Sequence, residues 1–178
     1  MSIYNGIRHL HTINKHRRLV RRGCFKIGLY WQGLTHDLSK YSPTEFLVGA
    51  KYWQGTRSPN NAERDDLGCS YSWMHHKGRN KHHFEYWVDY SLNPEEPFAF
   101  VPMPDKYIAE MVMDRIAASK VYMGEKYTQG HPLEYMLRHP DKPIMAEETK
   151  NKLEFLLRML AEEGEASLNK YIKDVFLK

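Results

Sequence analysis

The sequence predicts an all-α fold, a single helical domain over residues 1–178 with about seven helices. Two patterns indicate helices: apolar residues recur every three to four positions over long stretches, and proline or glycine clusters separate those stretches. No stretch alternates apolar and polar residues for long enough to predict a strand. The chain of 178 residues is long enough to bury a hydrophobic core without disulfides.

Four helices are predicted in the N-terminal half. Apolar residues from Ile3 to Cys24 follow the helical period, and a second helix is expected from Phe25 to Leu38. The sequence Ser-Pro-Thr-Glu at 42–45 is a capping box with proline at the first helical position, so a third helix should start there and end near Trp53. A fourth is expected over Ala62–His76.

The C-terminal half is interpreted in the same way. Four prolines within Leu92–Pro104 predict the longest irregular segment, which is expected to cover a site as a lid or wall. A strong helical pattern follows over Asp105–Met123. After a proline break at 140–143, a helix is expected over Ala146–Glu163, with Gly164 as its stop and a short helix closing the chain.

Composition and charge exclude several classes of protein. Twenty-six basic and 22 acidic residues give a formal net charge of +4, which favours a small phosphorylated substrate and is too weak alone to predict nucleic-acid binding. No apolar run approaches the roughly 18–20 residues that span a bilayer, and residues 1–18 lack the apolar core of a signal peptide, so no membrane association is expected. The two cysteines, Cys24 and Cys69, are expected to be free thiols in the cytoplasm.

Histidine is the unusual component, with ten residues in the chain. Two His-His pairs, His75-His76 and His82-His83, lie within the aromatic-rich run 73–87. Imidazole is the commonest protein ligand of transition metals, and histidines outside a metal's inner ligand set often orient those inside it. A basic surface loop or His–aromatic packing is the alternative interpretation of this run.

Three more positions are candidate ligands. His36-Asp37 lies near the end of the predicted second helix. Asp114 falls on the apolar stripe of the 105–123 helix, where a carboxylate costs several kcal/mol unless it is paired or bound to a metal. His16 lies on an inward stripe of the first helix, with His9 behind it. Imidazoles and carboxylates without thiolates suit one or two Mn, Fe, Co, Ni or Zn ions.

Taken together, these residues resemble the HD-domain superfamily of metal-dependent phosphohydrolases, whose pattern is a His, a His-Asp pair and a distant Asp on successive helices. The matching residues here are His16, His36, Asp37 and Asp114. Residues 36–40 resemble the family's His-Asp-x-x-Lys, and His75-His76 resembles the extra histidines of members that hold two metals. Because only 20 positions separate His16 from His36, His11 and His9 stay open as the first ligand.

The chain resembles more closely a small bacterial and phage family that has no assigned activity. This likeness covers most of residues 9–140. Its matching stretches are HRRLV (16–20), HDLSKYSPTEF (36–46), HHKGRNKHHFEYW (75–87) and EMVMDRIAASKVY (110–122). No histidine lies between Asp37 and His75, where some two-metal members carry one, so the metal count stays open between one and two.

The resemblance implies a metal-dependent hydrolase that acts on a small phosphate ester, such as a nucleotide, by attack of a metal-activated hydroxide. The metal ligands it implies are His16, His36, Asp37, His75, His76 and Asp114. Catalytic roles are expected for His82, His83 and Lys40, with a protonated His82 or His83 as the general acid. Phosphate binding is expected for Arg79, Lys81 and Arg115. Two other functions fit the same residues: an HD-type di-iron oxygenase, and a non-catalytic module that binds nucleic acid or another ligand.

Overall fold

Eight α-helices and one short β-hairpin form the described part of the chain, residues 2–138 and 145–178 of a computed structural model. The helices are α1 (Ile3–Lys26), α2 (Tyr30–Thr35), α3 (Pro43–Lys51), α4 (Pro59–Leu67), α5 (Tyr71–Lys77), α6 (Asp105–Met123), α7 (His131–Leu137) and α8 (Glu147–Tyr171). The strands β1 (Val88–Tyr90) and β2 (Phe98–Phe100) pair antiparallel. With 71% helix, the all-α class is confirmed.

Two glycines set helix boundaries that differ from the predicted ones. Gly28 has φ +84°, a left-handed conformation that favours glycine. The break between the first two helices therefore lies around Gly28, and α1 extends to Lys26, whereas the second helix was predicted to begin at Phe25. Gly68, with φ +74°, ends α4, and the predicted helix 62–76 is therefore two helices, α4 and α5. The helix α2 ends at Thr35, three residues early, which leaves the His-Asp pair in a turn.

Other boundaries agree with the sequence more closely. The helix α6 has the predicted bounds, and α3 begins where the capping box predicts, with the Glu45 amide donating to Ser42 Oγ at 3.4 Å. Gly164 has φ +88° and ψ +172°, which are not helical, and it divides α8 into two helical segments at the predicted stop. The strands β1 and β2 were missed because three residues are too few to show alternation. The predicted break at 140–143 lies outside the described residues.

The hydrophobic core lies between α1, α6 and α8. Its fully buried members include Val20 of α1, Val112 of α6 and Leu156 of α8. The predicted apolar stripe of α1 holds only from Ile13 onward, because Ile3 and the residues near it are exposed. Both cysteines are free, as expected. Within the described ranges, no helix is both long enough and apolar enough to cross a bilayer.

The segment expected to form a lid or wall is partly ordered into the hairpin. It contributes β2 and then continues into Met103, which is buried in the core. The Met103 amide donates to the Thr149 hydroxyl of α8 at 2.9 Å. The C-terminal end of this segment is thereby fixed to the helical core directly before α6.

Candidate metal centre

Two long helices bring the first pair of candidate ligands together. His16 lies midway along α1, on the face that packs against α6. Asp114 lies on the facing side of α6, and its Oδ1 is 2.9 Å from His16 Nε2. The helical period that predicted both residues as inward-facing therefore also accounts for their meeting.

The His36-Asp37 pair lies in a turn with unusual backbone geometry. Asp37 has φ +54° and ψ +27°, and no other residue except glycine has a positive φ in the ranges described. Aspartate tolerates this left-handed region better than most residues, at a cost of about 1–3 kcal/mol. The turn aims both neighbouring side chains inward, with His36 Nε2 3.4 Å from Asp37 Oδ2.

Arg17 of α1 supports this turn from outside. Its Nε donates to the His36 carbonyl at 2.7 Å, and its Nη2 donates to the Leu34 carbonyl at 3.1 Å. Its Nη1 donates to the Tyr41 hydroxyl at 2.9 Å. A single guanidinium thus ties the carbonyls on either side of Thr35 to α1, the helix that carries His16.

Four ligand atoms converge in a first group, which we call site A: His16 Nε2, His36 Nε2, Asp37 Oδ2 and Asp114 Oδ1. The separations that involve a histidine run from 2.9 Å (His16 to Asp114) to 3.6 Å (His16 to Asp37). Ligands about 2.0–2.2 Å from one ion lie about 2.9–3.5 Å apart in octahedral or tetrahedral geometry. Site A could therefore hold a metal ion with little rearrangement.

The other carboxylate oxygen of Asp37 faces a second group, site B. Its Oδ1 is 3.3 Å from His76 Nε2 and 3.4 Å from His82 Nε2, and His83 Nε2 is 2.9 Å from His76 Nε2. These four ligand atoms lie within 4.8 Å of one another. Asp37 Oδ1 and His82 Nε2 are fully buried and have no hydrogen-bond partner in the described part of the chain, which is the environment a bound cation would satisfy.

Buried glutamates orient the histidines of both sites. Glu110 Oε1, on α6, accepts hydrogen bonds from His36 Nδ1 at 2.9 Å and from His82 Nδ1 at 3.1 Å. Glu45 Oε2, on α3, accepts from His76 Nδ1 at 2.8 Å. Each of these rings thus has Nδ1 bound to a carboxylate and Nε2 directed at Asp37, the arrangement that orients metal-binding histidines.

Sequence reasoning missed both glutamates. Glu110 lies four residues before Asp114, on the same face of α6. This spacing could have predicted that the Glu110 carboxylate also lies beside the candidate site. Glu45 was assigned only to the capping box. Its backbone amide donates to the capping Ser42 hydroxyl at the start of α3, but its carboxylate accepts from His75 and His76 of α5.

The electrostatics of the cluster favour positive charge at its centre. Burial lowers the pKa of His36, but Asp37, Asp114 and Glu110 together outweigh burial and raise that pKa to about 10. Burial raises the pKa of Asp37, yet His36, Lys40 and His76 outweigh burial and hold it well below its usual range. Without a metal His36 therefore retains its proton, and a bound cation would take the place of that proton.

Lys40 is the cation nearest to the shared carboxylate. Its Nζ is 2.7 Å from Asp37 Oδ2, and its side chain is 29% exposed. Burial lowers its pKa, but the carboxylates of Asp37 and Asp114 raise it above its ordinary value, so Lys40 stays protonated. It is therefore a fixed positive charge at the opening of the cluster.

The structure separates the histidines that the sequence left as alternatives. His16 joins site A, whereas His11 is exposed and His9 packs against Phe46 of α3, with 5.5 Å between ring centroids. Among the described residues, His75 belongs to no group of converging ligand atoms, and its Nδ1 donates to Glu45 Oε1 at 2.7 Å. His75 therefore shares an orienting carboxylate with a site B histidine, in place of the ligand role expected for it.

Two predicted catalytic histidines lie among the candidate ligands instead. His82 and His83 both contribute a ring nitrogen to site B. Burial and the neighbouring imidazoles of His82 and His76 lower the pKa of His83 well below its usual range. A neutral imidazole suits metal ligation, and it does not suit the role of general acid predicted for His83.

The predicted phosphate-binding residues fall into two environments. Arg79 and Lys81 are exposed: Arg79 Nη1 donates to the His75 carbonyl at 3.3 Å, and Lys81 Nζ lies 5.7 Å from the Tyr86 ring centroid. Arg115 follows Asp114 on α6, and its Nη1 is fully buried with no hydrogen-bond partner among the described residues. Burial lowers the pKa of Arg115, so this guanidinium is incompletely compensated.

The fold and the cluster define an all-α protein in which buried histidines and aspartates could hold a metal ion. A model described as a family of unknown function (DUF5662) matches residues 6–159, and the chain belongs to this family. The matched span includes every residue of sites A and B. Comparison with curated proteins and with solved structures gave no match.

Proposed function

We propose that the chain is an HD-type, metal-dependent phosphohydrolase that holds two divalent ions and acts on a small phosphate ester such as a nucleotide. The observation that carries this proposal is the position of Asp37, whose two carboxylate oxygens face two separate groups of ligand atoms. A carboxylate between two sites matches the two-metal arrangement of phosphate-ester hydrolases, in which the ions lie about 3.5–4 Å apart.

Charge balance supports two ions over one. Four carboxylates surround the cluster: Asp37, Asp114, Glu45 and Glu110. Buried charges of one sign must be compensated, and two divalent ions supply four positive charges. Lys40 adds one more, which leaves the loaded centre net positive and attractive to a phosphate.

When bound, the ions would lower the pKa of a water molecule and offset the charge of the phosphoryl group. The residues of the chain would orient the metal ligands and bind the substrate. Glu110 and Glu45 hold the imidazoles so that Nε2 faces the centre. The Lys40 ammonium, partly exposed beside Asp37, would contact a phosphoryl oxygen, and Arg115, which follows Asp114 on α6, is a second candidate for phosphate binding.

Metal analysis combined with a phosphatase screen tests this proposal. Purified protein should contain about two divalent ions per chain and release phosphate from at least one class among nucleoside mono-, di- and triphosphates, cyclic nucleotides and sugar bisphosphates. Asp37→Asn, which keeps the side-chain volume, should lose metal and activity together. Asp174→Asn, at an exposed position, is the matched control and should lose neither.

Two outcomes would contradict the proposal. One is an Asp37→Asn protein that still binds both ions and still releases phosphate. The other is fully metal-loaded wild-type protein that hydrolyses none of these esters.

Site B favours a second candidate function. Its three imidazoles and one carboxylate form a donor set that also suits iron, so a di-iron oxygenase fits the same cluster. Iron in the purified protein, visible absorption bands and substrate-dependent consumption of O2 would identify this chemistry. Colourless protein that releases phosphate with added Mn²⁺ or Co²⁺ would identify the hydrolase.

A further inference from the structure

The net positive charge of the chain comes from the helix α1. It contains seven of the 26 lysines and arginines and none of the 22 aspartates and glutamates. The rest of the chain holds 19 basic and 22 acidic residues and is therefore net negative. The overall charge of +4 conceals this segregation, because it averages a basic helix with a mildly acidic remainder.

Four of these seven basic residues, together with His11, form a line along one exposed face of α1, which we call the basic stripe. Its members are His11, Lys15, Arg18, Arg22 and Lys26, spaced by three or four residues and all exposed. The opposite face of α1, from Ile13 to Cys24, is buried and includes His16. Among the described residues, none of the stripe's lysines and arginines forms an ion pair with an acidic side chain.

Exposed aromatic rings continue the stripe at its C-terminal end. Trp31 is 73% exposed and Tyr30 is 60% exposed, both in the first turn of α2. Phe25, near the end of α1, packs edge-on against Tyr30 with 5.3 Å between ring centroids. Large aromatic side chains that are this accessible beside unpaired cations provide both a stacking surface and a contact for phosphates.

We propose that the basic stripe and Trp31 form a binding surface for single-stranded nucleic acid. Lys15 and Lys26 are about 16 Å apart along the helix, a distance that matches about five stacked nucleotides. The stripe would contact the phosphates, and Trp31 would stack on a base. An unpaired strand is the favoured partner because its bases are free to stack on a protein ring.

An anionic membrane fits the same surface less well. Helices that lie on membranes insert their apolar face, but the apolar face of α1 is already buried in the core. The exposed Ile3 and Ile7 lie at the other end of the helix, about 16 Å or more from Arg18. Electrostatic contact and base stacking therefore explain the surface better than insertion does.

The proposed surface is independent of the candidate metal centre. His16 points inward from α1, whereas the stripe residues point to solvent. Asp37→Asn protein should therefore bind an oligonucleotide as tightly as wild-type protein does. The failure of one proposal can thus be distinguished from the failure of the other.

Fluorescence anisotropy with labelled dT20 and U20 tests the surface. Wild-type protein should bind with an affinity that falls steeply as salt rises. Arg18→Gln with Arg22→Gln removes two phosphate contacts, which should reduce the log–log salt slope by about 1.4 and the affinity about 25-fold at 0.1 M salt. Trp31→Ala should weaken binding about fivefold or more.

The control carries the same change in charge elsewhere. Lys150→Gln with Lys173→Gln, at exposed positions on and just after α8, should leave binding within about twofold of wild type. Thermal melts check that each variant is folded. The proposal is overturned if wild-type protein does not bind either oligonucleotide at low salt, or if the control weakens binding as much as the stripe variant does. It is also overturned if poly-L-glutamate or phosphatidylglycerol vesicles compete as well as the oligonucleotides.

Discussion

Removing the Glu110 carboxylate should weaken both halves of the candidate metal centre at once. Both His36 Nδ1 (2.9 Å, site A) and His82 Nδ1 (3.1 Å, site B) donate to the same oxygen, Oε1. Losing a partner that orients a metal ligand costs about 10–100-fold in metal affinity. We therefore expect Glu110→Leu to weaken the binding of each of the two ions by about 100-fold, which is about 2.7 kcal/mol per ion.

Glu110→Gln separates charge from hydrogen bonding. A glutamine oxygen can still accept from both imidazoles, so only the charge is lost, and we expect an intermediate effect of about tenfold. Competition titrations of Zn²⁺ or Mn²⁺ against a chelating dye measure both affinities, and Glu162→Gln, at an exposed position on α8, is the control. If Glu110→Leu binds both ions as tightly as wild type, or weakens only one of them, the shared-carboxylate reasoning is refuted.

Three further predictions test other parts of the structure. Gly49→Ala should destabilise the protein by about 1–3 kcal/mol in urea unfolding, because the added Cβ would overlap His9 Nε2. Glu63→Gln should cost about 1–3 kcal/mol above pH 5 and less in acid, because its carboxylate caps α5. His76→Ala should lose one of two bound ions, whereas His75→Ala should keep both, as measured by elemental analysis of metal-loaded protein.

The pH dependence at Glu63 follows from its hydrogen bonds. Burial raises the pKa of Glu63, but donation from Ser70 and Ser72 outweighs burial and lowers that pKa below its unfolded value. The stabilisation is therefore fully present above the unfolded pKa of about 4.5 and is lost as pH falls through the folded pKa. A Glu63→Gln penalty that stays constant from pH 7 to pH 3 would contradict this explanation.

The other two predictions also have controls: Gly6→Ala for Gly49→Ala, and His75→Ala for His76→Ala. Gly6→Ala in α1 meets nothing within 4 Å and should be neutral or stabilise the helix by up to about 1 kcal/mol. If Gly49→Ala is as stable as Gly6→Ala, the close packing of α1 on α3 is contradicted. If His75→Ala loses an ion and His76→Ala does not, the assignment of site B is wrong.

Long-range periodicity predicted much of the candidate site. His16 and Asp114 are polar residues on otherwise apolar stripes of α1 and α6, and a buried charge of this kind needs a partner. Because the two helices pack against each other, residues on their inward stripes can meet. Helical geometry therefore predicted that His16 and Asp114 face inward, whereas the choice of His16 over His9 and His11 as a candidate ligand needed the structure.

The remaining geometry depends on backbone details that the pattern does not encode. The left-handed conformation of Asp37 directs two neighbouring side chains at one point, and a helical interpretation of this pair would separate them by about 100°. The helix α5 has only seven residues, too few for its period to tell His75 from His76. Glu110 and Glu45 act through histidines that are distant in sequence, so their roles emerge only in the folded chain.

The charge pattern of α1 is visible in the sequence, but the net charge of the whole chain conceals it. The stretch from Ile3 to Lys26 has no acidic residue, yet the net charge of the whole chain suggested only a mildly basic protein. The sequence alone did not show that these basic side chains and Trp31 are exposed to solvent. The structure shows that the basic stripe and Trp31 are exposed to solvent, whereas the candidate ligand His16 is buried.

Anomalous diffraction from crystals of Mn²⁺- or Zn²⁺-loaded protein tests the central claim most directly. We expect two peaks about 3.5–4 Å apart with Asp37 between them, one contacted by His16, His36 and Asp114 and the other by the site B histidines. Loaded crystals in which no peak lies within bonding distance of Asp37 would contradict the account, since both proposed sites require that carboxylate.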